Sequence, residues 1–130
     1  PIHILGIGGL DDILHGVSSG YDTFDCVSPT RIARHGIMMS KLSSKGINLN
    51  NSKFKDDHSS IDEGCELQEI NKFSKSYIHH LFKANEMLGM TILSIYNIWF
   101  MNKFFEEIRL SINEDRFEEY KNKILSNLVE

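Results

Sequence analysis

The segment that most restricts what this chain can become is its first 27 residues, which read as strand, glycine turn, helix and strand. Residues 2–7, IHILGI, are a short apolar run with β-branched residues closed by Gly8-Gly9, the pattern of a buried strand in a parallel sheet. Asp11 and Asp12 follow where a helix begins, because acids there oppose the positive end of the helix dipole. Ile13, Leu14 and Val17 give that helix one apolar face, and Gly16 and Gly20 limit it. Tyr21 to Val27, YDTFDCV, forms the second strand. Ser28-Pro29 ends it, since proline has no donor and restricts the residue before it. Two strands joined through a helix run parallel, which places the chain in the α/β class, although a complete βαβ unit takes about 30 residues or more.

After Gly36 the pattern changes. Ile37 to Leu42 and Ile47 to Leu49 flank Ser43-Ser44-Lys45-Gly46, which predicts a small hairpin turning at those four residues and then a loop. From Glu66, apolar residues recur at helical spacing. Ile70, Phe73, Tyr77, Leu81 and Leu88 mark one helix ending near Gly89, a second covers roughly 91–112, and Asn113-Glu114-Asp115 opens a third through Phe117, Tyr120, Ile124 and Leu128.

A length of 130 residues allows one domain at most. Fourteen basic against eighteen acidic residues leave 14 − 18 = −4, so this is not a body that grips nucleic acid by overall charge, and any such contact is local. Two cysteines, Cys26 and Cys65, make no disulfide framework, and PIHILGIGG lacks the basic start and long apolar run of a signal peptide, which together predict a cytoplasmic protein. The stretch from Met87 to Met101 is interrupted by Gly89, Thr91, Ser94, Tyr96 and Asn97 and is shorter than the ~20 residues a membrane span requires. Pro1, standing where an initiator Met is usual, points to a processed or truncated start.

Two segments could carry chemistry. LGIGG lacks both the full G-x-G-x-x-G and the G-x-x-x-x-G-K-[ST] pattern, so it reads as a tight strand-to-helix turn before it reads as a phosphate cradle. Asp25 is stronger. It stands near the C-terminal end of a parallel strand, the edge where α/β folds place their chemistry, between Phe24 and Cys26, which are suited to burial. A carboxylate there is costly unless paired or used. Arg31 and Arg34 follow in a predicted loop, with Thr30 and His35 adding donors, and together they form a local anion site. Asp25 is therefore either a functional carboxylate or the strand-end partner of Arg31 in an ion pair.

The run GYDTFDCVSPTRIARHG, residues 20–36, resembles the signature of the tRNA-guanine transglycosylases, the queuine or preQ1 tRNA-ribosyltransferases, in which F-D-C-V is followed by x-P-T-R-x-x-R-x-G. Leu5-Gly6-Ile7-Gly8 is similar to that family's preceding strand, INLNNSKFKDDHSSID to its Asn-rich hairpin and linker, and YIHHLFKANEMLGMTILSIYN to its helical C-terminal module. The resemblance implies the C-terminal part of a TIM (β/α)8 barrel. Residues 1–36 would be the last two βα units with the catalytic strand, 37–64 the hairpin and linker, and 65–130 the helical module. A whole barrel needs roughly 250 residues, so the strands that read the purine edge lie outside this chain, and alone it is expected not to bind a base well.

The same resemblance implies exchange of guanine at the anticodon wobble position of tRNA for a 7-deazaguanine base. Asp25 would be the nucleophile, Arg31 and Arg34 would hold the anticodon loop, and Leu5 and Gly6 would form part of the base-binding floor. Such an Asp25 must be ionised and dry enough to react. Phe73, Tyr77 and His80 match positions at a subunit interface, so a homo- or hetero-oligomer is expected, with helix-face core the plainer reading of Phe73. The family's zinc set, C-x-C-x-x-C with a later His, falls on Cys65, Leu67, Ile70 and Tyr96, of which Cys65 alone could ligate. His79 and His80, adjacent on a helix, point about 100° apart and do not readily share one ion, so no cofactor is expected. A non-catalytic relative that binds tRNA or dimerises with a complete enzyme is the alternative.

Overall fold

The computed structural model describes residues 1–128. Strand β1 (His3–Leu5), helix α1 (Leu10–Ser18) and strand β2 (Thr23–Asp25) form the expected crossover. The two strands pair in parallel, with His3 opposite Thr23, Ile4 opposite Phe24 and Leu5 opposite Asp25. Both strands are shorter than the apolar runs that announced them. Alternation then sorts the side chains: Phe24 turns inward, its ring 5.8 Å from that of Phe105, while His3, Leu5, Thr23 and Asp25 share an open outer face. Gly8 is required by a close approach, since a Cβ there would lie 2.6 Å from the Cys26 sulfur.

Helix α2 (Ser28–Ala33) stands where a loop was predicted. Pro29 accounts for it. A proline in the first helical turn gives up no needed donor and presets the helical φ, so the residue that ends β2 also starts α2. Arg31 therefore lies on a helix and Arg34 at its C-cap.

The hairpin is present but turns elsewhere. Strands β3 (Ile37–Ser40) and β4 (Ser43–Asn48) pair antiparallel around Lys41-Leu42, and Ser43 to Gly46 belong to β4. Gly46 serves a register shift instead of a turn: it has φ +71°, and a Cβ there would sit 2.6 Å from the Met38 carbonyl oxygen.

The helix expected from residue 66 is broken in two, α3 (Gln68–Asn71) and α4 (Lys75–Lys83), because the Ser74 hydroxyl accepts from the Tyr77 amide and caps a fresh helix start. Gly89 does not end a helix. The break falls at Asn85 (φ 56°), and α5 (Met87–Asn113) runs straight through Gly89, whose missing side chain lets Leu81 and Phe82 of α4 pack against it. Asn113 closes α5 and α6 (Phe117–Asn127) follows.

One apolar core joins all these parts, from Ile13 and Leu14 of α1 through Leu49 and Ile78 to Leu93, Phe104 and Ile108 of α5. Helix α5 is its spine. Asn97, fully buried on that helix, donates from Nδ2 to the carbonyls of Pro29 (2.9 Å) and Ile37 (3.1 Å) and accepts at Oδ1 from the Met39 amide (2.9 Å). Among the described residues, no helix is long and apolar enough to cross a membrane.

Gly46→Ala is expected to lower stability by about 1–3 kcal/mol, because it adds left-handed strain to a clash with backbone. Chemical denaturation would show this as a lower midpoint at unchanged slope.

Candidate functional site

The candidate site residues gather on the outer face of the β1–β2 pair. Asp25 ends β2, and its Oδ1 accepts from the Gly6 amide at 3.0 Å across the parallel register. Oδ2 makes no hydrogen bond among the described residues, and the side chain is 64% exposed. The expected dry, arginine-flanked setting is not what this chain builds. Strand alternation sends Asp25 to the open face of a two-stranded sheet, whereas Phe24 alone reaches the core. Nor does Asp25 pair with Arg31. Among the described residues no ion pair involves Arg31 or Arg34, and both are exposed on the outer side of α2.

Leu5, directly opposite Asp25, is 75% exposed, and Gly6 contributes its amide to the carboxylate, so both fall beside Asp25. His3 joins them. Its Nδ1 is hydrogen-bonded to Thr23 Oγ1 at 2.8 Å and its Nε2 lies 3.8 Å from Asp25 Oδ1. No spacing in the sequence marks His3 as a partner of Asp25; the link comes through the in-register pairing of the two strands, His3 with Thr23 and Leu5 with Asp25. Asp22 has a structural task, accepting from the Ile2 amide at 2.6 Å.

The turn between β2 and α2 is fixed by sulfur. Cys26 donates to the Ser28 hydroxyl at 3.0 Å and accepts from the Ser28 amide at 3.3 Å, so the chain leaving Asp25 enters α2 along one defined path. Pro29 and Ala33, one turn apart, face α5, where Ala33 is fully buried. Arg31 and Arg34 face away from it.

At the positions of the family zinc set the donor chemistry does not fit the ion. Leu67 and Ile70 offer nothing, and Cys65 is buried, its thiol pushed above its ordinary value by burial. Tyr96, also buried, donates its hydroxyl to Asp62 Oδ2 at 2.8 Å. Burial and that bond hold the phenol well above the usual range. The Asn71 amide group bonds the Cys65 carbonyl at 3.4 Å, and the Cys65 amide donates to the Asp62 carbonyl at 3.1 Å. A protein-only network thus ties the 61–66 loop to α3 and α5. His79 is buried, with Nδ1 2.7 Å from the Leu49 carbonyl, whereas His80 is exposed, so the two diverge as expected. Among the described residues, no three His, Cys, Asp or Glu side chains converge to hold an ion.

Phe73, Tyr77 and His80 lie along one side of α4 and the turn before it. The Phe73 and Tyr77 rings stack at 5.4 Å, with Phe73 half-buried and Tyr77 and His80 exposed.

A parallel strand pair with an exposed carboxylate at its C-terminal tip, followed by a helix carrying two exposed guanidinium groups, gives the α/β edge at which such folds bind their ligands. A family model described as queuine tRNA-ribosyltransferase matches residues 1–130, and the chain belongs to that family. It is 47% identical over 125 residues to a queuine tRNA-ribosyltransferase of Clostridium acetobutylicum, covering 96% of this chain and 33% of that protein. Against the one of Clostridium tetani it is 45% identical over 127 residues, 98% of this chain and 33% of that protein. Against that of Dictyoglomus turgidum it is 41% identical over 129 residues, 99% of this chain and again 33% of the relative. The chain spans about a third of the length of these curated relatives.

Tyr96→Phe removes a hydrogen bond to a carboxylate inside the core and is expected to cost about 1–3 kcal/mol, read as a lower Tm.

Proposed function

We propose that this chain carries the nucleophile-bearing portion of a tRNA-guanine transglycosylase. It would be the C-terminal part of a (β/α)8 barrel, with β1 and β2 as the last two strands. The carrying observation is the state of Asp25, one oxygen held by the Gly6 amide and the other without a hydrogen bond among the described residues, on an exposed strand edge. The open face supports the barrel reading, because parallel strands are ordinarily covered on both sides and here one side is bare. Burial of Asp25 would come from the strands that complete the sheet.

In this reading Asp25 attacks C1′ of the wobble guanosine. The Asp25 oxygen–C1′ bond forms as the C1′–N9 bond breaks, and guanine leaves with a proton supplied by an acid on the strands that complete the barrel, which takes back the ring proton of the incoming base. The incoming 7-deazaguanine base then attacks the same carbon from the vacated side, breaking the bond to Asp25 and losing its own ring proton, with net retention. The Gly6 amide steadies the carboxylate. Leu5, beside it, offers an apolar floor to the flat base, and Arg31 and Arg34 bond phosphates or stack on the unpaired bases of the anticodon loop. Phe73, Tyr77 and His80 would lie against a second subunit, their stacked rings and polar tips suiting a partly wet contact.

The test is exchange of labelled guanine into a tRNA with a G-U-N anticodon by the complete, active protein. Asp25→Ala should abolish exchange, whereas Asp22→Ala, at a residue whose side chain accepts from the Ile2 amide, should retain it. Exchange that survives Asp25→Ala overturns the assignment, and an intact protein that binds the tRNA without exchange favours the non-catalytic alternative.

Arg31→Ala or Arg34→Ala is expected to weaken tRNA binding and to flatten its salt dependence by about one unit of slope for each phosphate no longer neutralised, with a smaller effect on the chemical step at saturating RNA. Affinity titrations at several salt concentrations check this.

The helical module is proposed to stand without zinc. Elemental analysis should find well under one zinc per chain, and EDTA should leave the Tm unmoved. One zinc per chain would mean that Cys65 has gained ligands from elsewhere.

A further inference from the structure

The Asn97 carboxamide does more than satisfy itself. Its Oδ1 and Nδ2 meet the Met39 amide and the Ile37 carbonyl, two groups that point the same way from β3, so the side chain pairs with that strand's free edge as a neighbouring strand would. Its second N–H reaches the Pro29 carbonyl in the first turn of α2. One side chain thus pins residues 29 and 37–39 to α5, and Arg31 and Arg34 lie between the pins. They face outward from a short helix whose inner face, Pro29 and Ala33, is seated on the same spine. Asn97 touches neither arginine nor Asp25.

We infer that Asn97 is a positioning residue for the two arginines: its hold on Pro29, Ile37 and Met39 sets where Arg31 and Arg34 stand relative to Asp25, and so the register of the bound RNA. This rests on the tRNA-exchange reading above. The test variant is Asn97→Asp, which keeps an acceptor for the Met39 amide but, even when burial keeps it protonated, can donate to only one of Pro29 and Ile37.

Exchange kinetics are measured on the complete protein, with active sites counted by covalent trapping so that unfolded molecules do not contribute. The comparison is made in the wild-type background and in Arg31→Ala/Arg34→Ala. Asn97→Asp should raise the tRNA KM about five- to tenfold with kcat per active site within about twofold, and the KM effect should vanish when both arginines are already gone. A KM increase of the same size without the arginines overturns the inference. So does an unchanged KM with only fewer active sites, which is the mark of a purely structural residue. Should Asn97→Asp fail to fold, Asn97→Ser, which keeps one donor, is compared in the same way below its Tm. A wild type that binds an anticodon stem-loop RNA without exchanging guanine defeats the enzyme reading alone. Affinity for that RNA then replaces KM: a loss of affinity that needs the arginines supports the inference, and one that persists without them overturns it. A wild type that does neither overturns both.

Discussion

The buried carboxamide of Asn97 is the interaction that ties the start of α2 and the strand β3 to the spine helix, and the rest of the structure is arranged around it. It satisfies three backbone groups from two elements far apart in sequence from it, and it does so from the middle of the longest helix. Removing it would leave the buried Met39 amide without a partner, at a cost on the order of 1–3 kcal/mol, and would release the part-buried carbonyls of Pro29 and Ile37. Around that anchor the packing is ordinary: Ala33 lets α2 lie close on α5, Gly89 lets α4 do the same, and Glu107 gathers Lys41 of the hairpin turn and Tyr120 of α6 onto the far end of the spine.

From that frame the chemistry is a matter of register. Parallel pairing sets Leu5 opposite Asp25, Gly6 follows at the strand tip, and its amide reaches the carboxylate. Cys26 and Ser28 then turn the chain so that a helix begins three residues after the carboxylate, and its outward positions are the two arginines. Family membership is shown by the sequence match along the whole chain, while the roles given to these side chains are a proposal drawn from their geometry.

Much of this was legible in advance where the cue was local. The crossover at residues 2–27 and the carboxylate at its tip followed from an apolar run, a glycine pair, two acids and a proline. Cues with two meanings misled. Gly46 reads as a turn glycine but serves a bulge, Gly89 reads as a terminator but serves a helix contact, and the Ser74 cap is hidden inside an unbroken apolar period. Partnerships between distant segments had no local cue at all. His3 could be linked to Asp25 only through the strand register, and Asn97 looked like a mere interruption in an apolar stretch because its partners are backbone groups some sixty residues away. The Tyr96–Asp62 bond was equally unreadable, although the poverty of the zinc set around Cys65 was plain from residue types alone.

The central claim is that Asp25 forms the covalent bond to ribose, and the most direct measurement is to locate that bond. The complete protein is trapped on an anticodon stem-loop RNA in the absence of incoming base, the RNA is digested, and the modified peptide is sequenced by mass spectrometry. The account predicts a ribosyl remnant on Asp25, with Asp22 in the same peptide unmodified. A remnant on Asp22 or on any residue other than Asp25 would contradict it.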